Sequence, residues 1–482
     1  MNHLLAISLG PVQDFIAAAR RTADLYAGSQ ILQELCKAAA QALHARRAEL
    51  IFPSNPEANG ANKILARVGA DPEKLAEAAR HAAQQRLMAL WQEHTKGFAH
   101  KIDLERARAQ LETFLEFYAA WLPLPDGQYK EVRQEVERLL AGRKALRDFA
   151  PIDQADAGVP KSPLDPSKAA VIQPKDWEGV SIATPEGYRP LRIKPTETLD
   201  ALSLLKRLYG AKQGGVVVDT RTMARRAWNP EARPEERYGE DDDHIQEPQP
   251  YFAVLVADGD CMGALISQQE DPKAHRQLSA TLDAFAQQAR KIVPSYRGFM
   301  VYSGGDDVLA FLPVNQAVAC AQKLAEAFSS QVRGTLSAGV AIVHYRQPLS
   351  ESLQAAREAE KEAKKQGRNR LAVALHTRSG NPLMVVRPWA KLAWEPLVAA
   401  YQAGQVSRGL AYELAELAQV WPDDLDAEAL QKEAQRILKR KEGQGIEIPS
   451  LGGPKDLLDF AHQLIIARFL AGLPSPKEED YA

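Results

Sequence analysis

Two short apolar runs, Phe299–Ser303 and Val308–Pro313, flank the tetrapeptide Gly304-Gly305-Asp306-Asp307. Runs of this length on either side of paired glycines read as antiparallel strands joined by a tight hairpin. Lacking a Cβ, the glycines permit the turn and let a phosphate or base approach the backbone. Asp306 and Asp307 then project as hard oxygen ligands, the kind that Mg²⁺ or Mn²⁺ prefers. Gly and Asp are also ordinary turn residues, so the pattern gains its meaning from a second element. Tyr251–Ala257 (YFAVLVA) is a buried-type strand that runs straight into Asp258-Gly259-Asp260. Carboxylates at the ends of neighbouring strands are what two-metal nucleotidyl transfer requires. One ion activates an attacking hydroxyl and the other steadies a triphosphate. Asp258, Asp306 and Asp307 are therefore the candidate catalytic and metal-binding residues, with Asp260 as a further metal ligand. Ser303, Gly304 and Gly305 form the candidate nucleotide-binding turn.

A third element follows. Ala363-Lys364-Lys365-Gln366-Gly367-Arg368-Asn369-Arg370 closes a helix and leads into the strand Leu371–Leu375. Lys361, Lys364 (or Lys365) and Arg368 share one helical face, opposite Leu353, Ala356, Ala359 and Ala363. A basic stripe turned toward the aspartates would hold a triphosphate, with Gly367 ending the helix. The other reading of these lysines is a solvated face paired with Glu358, Glu360 and Glu362.

The order of elements predicts an α+β multidomain chain. Residues 1–220 read as a first palm-like α/β domain with a helical insertion (helices at Asp71–Thr95, Leu104–Trp121 and Tyr129–Leu146) and a connector. Ser29 is placed as the cap of a helix Ile31–Arg47. Residues 221–250, with four prolines and the run Glu240-Asp241-Asp242-Asp243-His244, read as an acidic linker. Residues 251–385 read as a second palm, a βαββαβ ferredoxin-like unit with one added helix–strand pair. Residues 386–482 read as a helical bundle. Its basic cluster Lys432, Arg436, Lys439, Arg440 and Lys441 is either an RNA contact or a solvated helix end.

The acidic motifs resemble those of GGDEF-type nucleotide cyclases and, more closely, the palm domains of the large subunit of type III CRISPR effector complexes. GGDEF cyclases carry Glu-Phe where this chain has Asp307-Val308, which argues against a diguanylate cyclase. Leu9-Gly10-Pro11-Val12-Gln13-Asp14-Phe15-Ile16 and Ala19–Ser29 are similar to the opening of the first palm in the Cmr-type (III-B) version. Lys161-Ser162, Leu191-Arg192 and Lys206-Arg207 fit that pattern more loosely. The resemblance implies two ferredoxin-like palms. It implies that the second converts ATP to cyclic oligoadenylates with Mg²⁺ or Mn²⁺ when the complex binds target RNA, in antiviral defence. It raises Gly28 and Ser29, with Gln13 and Arg20, to a possible second nucleotide contact. The implied partners are the other subunits of the complex, with guide and target RNA met mainly through them. The alternatives are an ATP-plus-cosubstrate nucleotidyltransferase of the same fold and a non-catalytic scaffold subunit.

Two parts of the family pattern are missing. Strand-like His3–Leu9 begins almost at Met1 and no His-Asp dipeptide occurs, so no HD nuclease is expected here, whether by nature or by truncation. Only Cys36, Cys261 and Cys320 are present, with no CxxC, so no zinc is expected. The formal net charge of −2 over 482 residues excludes a polycation that binds RNA by bulk charge. With no signal pattern and no apolar stretch long enough to cross a bilayer, a cytoplasmic chain without membrane contact is expected.

Overall fold

Successive residues of Phe252-Ala253-Val254-Leu255 are all apolar. A strand puts alternate side chains on opposite faces, so this one must be covered on both sides. The computed structural model shows how. It describes residues 2–59, 62–69, 71–97, 99–146, 158–176, 181–182, 191–192, 197–213, 217–232, 250–392, 394–422, 425–441 and 446–472. The run Glu240–His244, most of the connector after residue 176 and the end of the tail lie outside the described residues.

In chain order the elements begin with β1 (His3–Gly10), α1 (Gln13–Ala17), α2 (Thr22–Ala45), β2 (Glu49–Phe52), β3 (Lys63–Val68), α3 (Pro72–Thr95), α4 (Leu104–Glu112), β4 (Glu116–Pro123) and α5 (Tyr129–Ala145). Next come β5 (Ser181–Ile182), β6 (Leu191–Arg192), α6 (Ala201–Ala211) and α7 (Thr220–Arg225). The second half holds β7 (Tyr251–Gly259), α8 (Met262–Ser267), α9 (Pro272–Ser295), β8 (Phe299–Gly304), β9 (Asp307–Leu312), α10 (Ala317–Val332), β10 (Leu336–His344), α11 (Leu349–Lys365), β11 (Arg370–Leu375) and β12 (Leu383–Pro388). Helices α12 (Trp394–Gln402), α13 (Leu410–Val420), α14 (Ala427–Arg440) and α15 (Pro454–Ala471) complete the fold.

Two sheets result. The first has the order β2-β3-β1-β4, and the second β12-β11-β10-β7-β9-β8. Strands β10-β7-β9-β8 repeat the first sheet's order, so both sheets are built on a βαββαβ unit. In the second, β11 adds parallel to β10 and β12 antiparallel to β11. Ala253, Leu255 and Ala257 face a core with Phe285, Leu324 and Phe328 of α9 and α10. Phe252 and Val254 face the opposite way, into a core shared with Leu25, Ile31 and Leu35 of α2 and Leu353 of α11. The two halves thus meet through one continuous apolar layer. The last four helices pack into the α9–α10 core, and among the described residues no helix is long and apolar enough to cross a membrane.

The expected helix Leu104–Trp121 is corrected. It ends at Glu112, and Glu116–Pro123 forms the strand that pairs with β1 over its whole length. Its unbroken apolar run carries no alternation to betray a strand, and the free edge of β1 decides the matter. Strand β12 and helix α7 are likewise additions to the sequence reading. In the bundle, Lys432, Arg436, Arg440 and Lys441 pair with Glu428, Glu433 and Glu413, which is the solvated-helix alternative.

The N-terminal motif acquires a structural purpose. Arg207 forks onto Asp24 at 2.8 and 3.0 Å, with both side chains 1% exposed, and also reaches Glu197 at 3.0 Å. Lys206 donates to the carbonyls of Phe15 (2.8 Å) and Ala18, and its ammonium lies over the Phe15 ring. Burial pushes the Lys206 pKa down to about 8. Removing one partner of a buried pair such as Arg207–Asp24 leaves a stranded charge and costs about 3–5 kcal/mol.

Candidate functional site

Strand parity carries the acidic groups to one place. Asp258 shares the face of Phe252 and Val254, and Asp307 shares the face of Leu309 and Phe311, which is the same side of the sheet. Between β8 and β9 the pair Gly304↔Asp307 closes a two-residue loop, with Gly305 at φ +67°. A non-glycine residue would be strained there. Gly259 matters for a different reason. A Cβ on it would lie 2.9 Å from Asp306 Cβ, Met262 Cγ and Phe328 Cζ, so only glycine lets the hairpin close against β7. One carboxylate oxygen from each of Asp258, Asp306 and Asp307 lies within 4.8 Å of the others.

Three like charges so placed repel one another. Dehydration, then Asp306 and then Glu360, pushes the Asp307 carboxyl up to about 7. Because Asp307 still opens onto the cleft, water screens the first of these, and charge repulsion is the firmer cause. Burial also raises Asp306, opposed by Lys63 on β3 of the other sheet. The nearest cation is Lys364 of α11, whose ammonium contacts Asp258 directly and Glu360 at 2.8 Å. A cation's place at Asp258 is thus taken by a side chain, and a hard divalent ion suits the oxygen donors present.

A cavity of about 540 Å³ opens beside the hairpin. Gly304, Gly305, Asp306 and Asp307 stand in one wall, Ser8, Asn62 and Lys63 of the first half in another, and Met262 and His275 in a third. His275 is buried and meets the Tyr129 hydroxyl at 2.7 Å. Burial and the Arg133 charge lower its pKa to about 4, so it is neutral near pH 7.

Several expected site residues lie elsewhere. Asp260 accepts from Thr335 Oγ1 (2.8 Å), Ser337 Oγ (2.7 Å) and the Asn369 N–H (2.9 Å). These donors turn it away from the cluster, and it ties the loops around β7, β10 and β11 together. Ser303 is 1% exposed and its hydroxyl donates to Ala286 O on α9 at 3.2 Å, facing packing and not the turn. Gly28 and Ser29 fall inside α2, so their N–H groups are not those of a helix start. Gly28 leaves room for Lys206, whose Cδ would be 3.2 Å from an added Cβ, and Ser29 accepts from Gln33 Nε2 at 3.0 Å. Gln13 and Arg20 are exposed. Arg368 lies past the end of α11 at φ +62°, exposed but close enough for its charge to lower the Lys364 pKa after burial has done so. Lys365 pairs with Glu362 at 3.5 Å. Lys63 was not legible in the sequence, since a lysine opening a strand carries no pattern, whereas the Lys364–Glu360 and Lys365–Glu362 pairs are among those the helical spacing offered.

Two expectations follow. Gly259→Ala drives the hairpin away from β7; divalent-ion binding by the chain falls at least about tenfold, by calorimetry, while far-ultraviolet dichroism is retained. Intact ion binding would show that the close approach is dispensable. The second concerns pH. Asp307 is raised above its ordinary value, so between about pH 4 and 7 the folded state binds more protons than the unfolded one. Metal-free stability is then fully present below the ordinary carboxyl range and is lost as pH rises through about 7. Melting curves near pH 5 and pH 8 should show the loss. They should show it absent in Asp306→Asn/Asp307→Asn, and reversed by Mn²⁺ at the higher pH.

Comparison with known proteins places the two halves. Residues 4–122 match the family model described as CRISPR-associated protein Cmr2, N-terminal, and residues 251–372 the model Cas10/Cmr2, second palm domain. The CRISPR system Cmr subunit Cmr2 of Pyrococcus furiosus is 28% identical over 262 residues, which is 45% of this chain. The match takes in only 30% of that relative's own length. Among solved structures, the type III-B Cmr-beta assembly in its apo state shares the fold with a TM-score of 0.72 at 11% identity, over 98% of this chain and 82% of that one. The Csm1–Csm4 cassette in complex with cA4 shares it with a TM-score of 0.53 at 16% identity, over 98% and 70%.

Proposed function

We propose that this chain, of the Cmr large-subunit type at both its sheets, is a metal-dependent nucleotidyltransferase that joins ATP into cyclic oligoadenylates. The observation that carries the reading is the convergence of Asp258, Asp306 and Asp307 within 4.8 Å beside a cavity of about 540 Å³. That volume lies in the range of small-molecule sites. The cA4 held by the Csm1–Csm4 cassette, a structural neighbour, supports the choice of product class.

Asp258, Asp306 and Asp307 would hold Mg²⁺ or Mn²⁺, which lowers the pKa of a 3′-hydroxyl and neutralises charge on the α-phosphate. The remaining work falls to the chain. The open backbone at Gly304-Gly305 lets the α-phosphate come close to the carboxylates. Lys364, with Arg368 beside it, offers positive charge to the β- and γ-phosphates and to the departing pyrophosphate. Lys63 brings a third cation to the cleft, from the first half, so both halves must be in register for the cation set to be complete. The apolar layer between the halves fixes that register. In-line attack forms the new P–O bond to the α-phosphorus as the bond to the bridging oxygen breaks; pyrophosphate leaves and the hydroxyl proton passes to water. We further propose that the chain works within an RNA-guided complex, with target RNA as the trigger.

The test is incubation of the chain, alone and assembled with its guide-RNA complex and target RNA, with ATP and Mg²⁺ or Mn²⁺. Products are read by mass spectrometry. Cyclic adenylates are expected. Consumption of labelled ATP without them would point to an ATP-plus-cosubstrate transferase, and no consumption in any assembled state would leave a scaffold.

A further inference from the structure

We propose that Glu360 is a positioning residue: it is the acceptor that retains the Lys364 ammonium when a divalent cation enters the Asp258–Asp306–Asp307 cluster. The inference rests on the reading of that cluster as a metal site.

The geometry is that of one ammonium between two carboxylates. Lys364 Nζ contacts Asp258 Oδ2 on one side and Glu360 Oε1, at 2.8 Å, on the other. Side chains here are well shielded, at 26% exposure for Lys364, 29% for Asp258 and 14% for Glu360. An ammonium and a divalent ion on one carboxylate repel each other. Metal entry therefore weakens the hold of Asp258 on Lys364. Left without an anion in a shielded position, the ammonium would bear a desolvation penalty that opposes metal binding. Glu360 removes that penalty.

Three features suit Glu360 to this role. It lies four residues before Lys364 on α11, the favourable order for a Glu–Lys pair on one helical face. Its Oε1 is enclosed and already lies 2.8 Å from the ammonium, with no other hydrogen-bond partner to compete for it. Its backbone is also tightly packed. Gly339 of β10 brings that strand so close that an added Cβ would overlap Glu360 N and Ala356 O. The acceptor stays put while the long lysine side chain moves. Lys364 is thereby kept beside the cluster, where a triphosphate would arrive, and is not released to solvent.

The test measures Mn²⁺ binding to the nucleotide-free full chain by calorimetry and by loss of the free-ion electron paramagnetic resonance signal. Wild type, Glu360→Gln, Glu360→Ala, Lys364→Met and the Glu360→Gln/Lys364→Met double variant are compared, with melting curves to confirm folding. The expected result is that Glu360→Gln weakens Mn²⁺ binding about tenfold when Lys364 is present and has no effect when it is methionine, a coupling within the range of contacting charges. Equal weakening in both backgrounds would make Glu360 a metal ligand or a plain background charge and would overturn the proposal. No weakening in either background would overturn it too. Failure of the metal-site reading is seen separately, as Mn²⁺ uptake that Asp306→Ala/Asp307→Ala leaves unchanged.

Discussion

Asp306→Ala with Asp307→Ala lowers nucleotide joining by at least about 10³-fold, the several kcal/mol of transition-state stabilisation that a bound metal supplies. The melting temperature of the metal-free chain stays level or rises. Both halves of this expectation have one cause. The two carboxylates stand with Asp258 inside 4.8 Å; dehydration holds the protons of both above the usual range, and repulsion adds to it at Asp307. Such a cluster weakens the resting fold and is kept for what it binds. Alanine removes the repulsion, and the Gly304–Asp307 loop keeps its turn because Gly305 carries the positive φ. The measurement is product by mass spectrometry beside a thermal melt. Undiminished ATP turnover in a well-folded double variant would place the chemistry elsewhere; lost turnover with a collapsed melt would make these residues structural.

The second large effect lies at a residue with no chemistry. Gly339→Ala is expected to destabilise the second half by about 3 kcal/mol, at the upper end for overpacking, and to lower its melting temperature by about 5 °C or more. Strand β10 is buried along its whole length, and α11 crosses it backbone to backbone at this glycine. The added Cβ would also lie 2.8 Å from Ala359 C, and no flexible side-chain end is available to give way. Helix α11 must lift, which carries Lys364 off Asp258, so weaker ATP binding should accompany the lost stability. Gly263→Ala is the control, since a Cβ there meets nothing within 4 Å. An unchanged melt in Gly339→Ala would mean that α11 can shift at little cost and that its register does not set the Lys364 position.

Local pattern was sufficient for most of the second half, α8 and β12 excepted. The apolar run into Asp258, the paired glycines between two apolar strands, and the amphipathic faces of α9, α10 and α11 each specify one element, and their order leaves few ways to arrange the sheet. The same holds for the four C-terminal helices, whose polar and apolar faces repeat at helical spacing. Where pattern is silent the sequence misled or said nothing. Phe117-Tyr118-Ala119-Ala120-Trp121-Leu122 is apolar without alternation, and it became strand β4 only because β1 had an unpaired edge. Gly28-Ser29 looked like the start of a helix, but α2 begins at Thr22, anchored by the Asp24–Arg207 pair from a segment far along the chain.

The sequence by itself determined that carboxylates would stand at the end of a β7–β9 strand pair, because strand parity and a glycine turn are local properties. Only the tertiary structure decided which carboxylates. Asp260, two residues from Asp258 and of the same chemistry, was drawn off by Thr335, Ser337 and Asn369. Lys63 was brought in from the other sheet, and the helical face that carries Lys364 and Glu360, legible in the sequence, was turned onto Asp258. The physical reason is range. A turn or a strand face is set by neighbours in sequence, whereas the charge around a buried carboxylate is set by whatever the packed layers bring within a few ångströms, and no spacing along the chain records that.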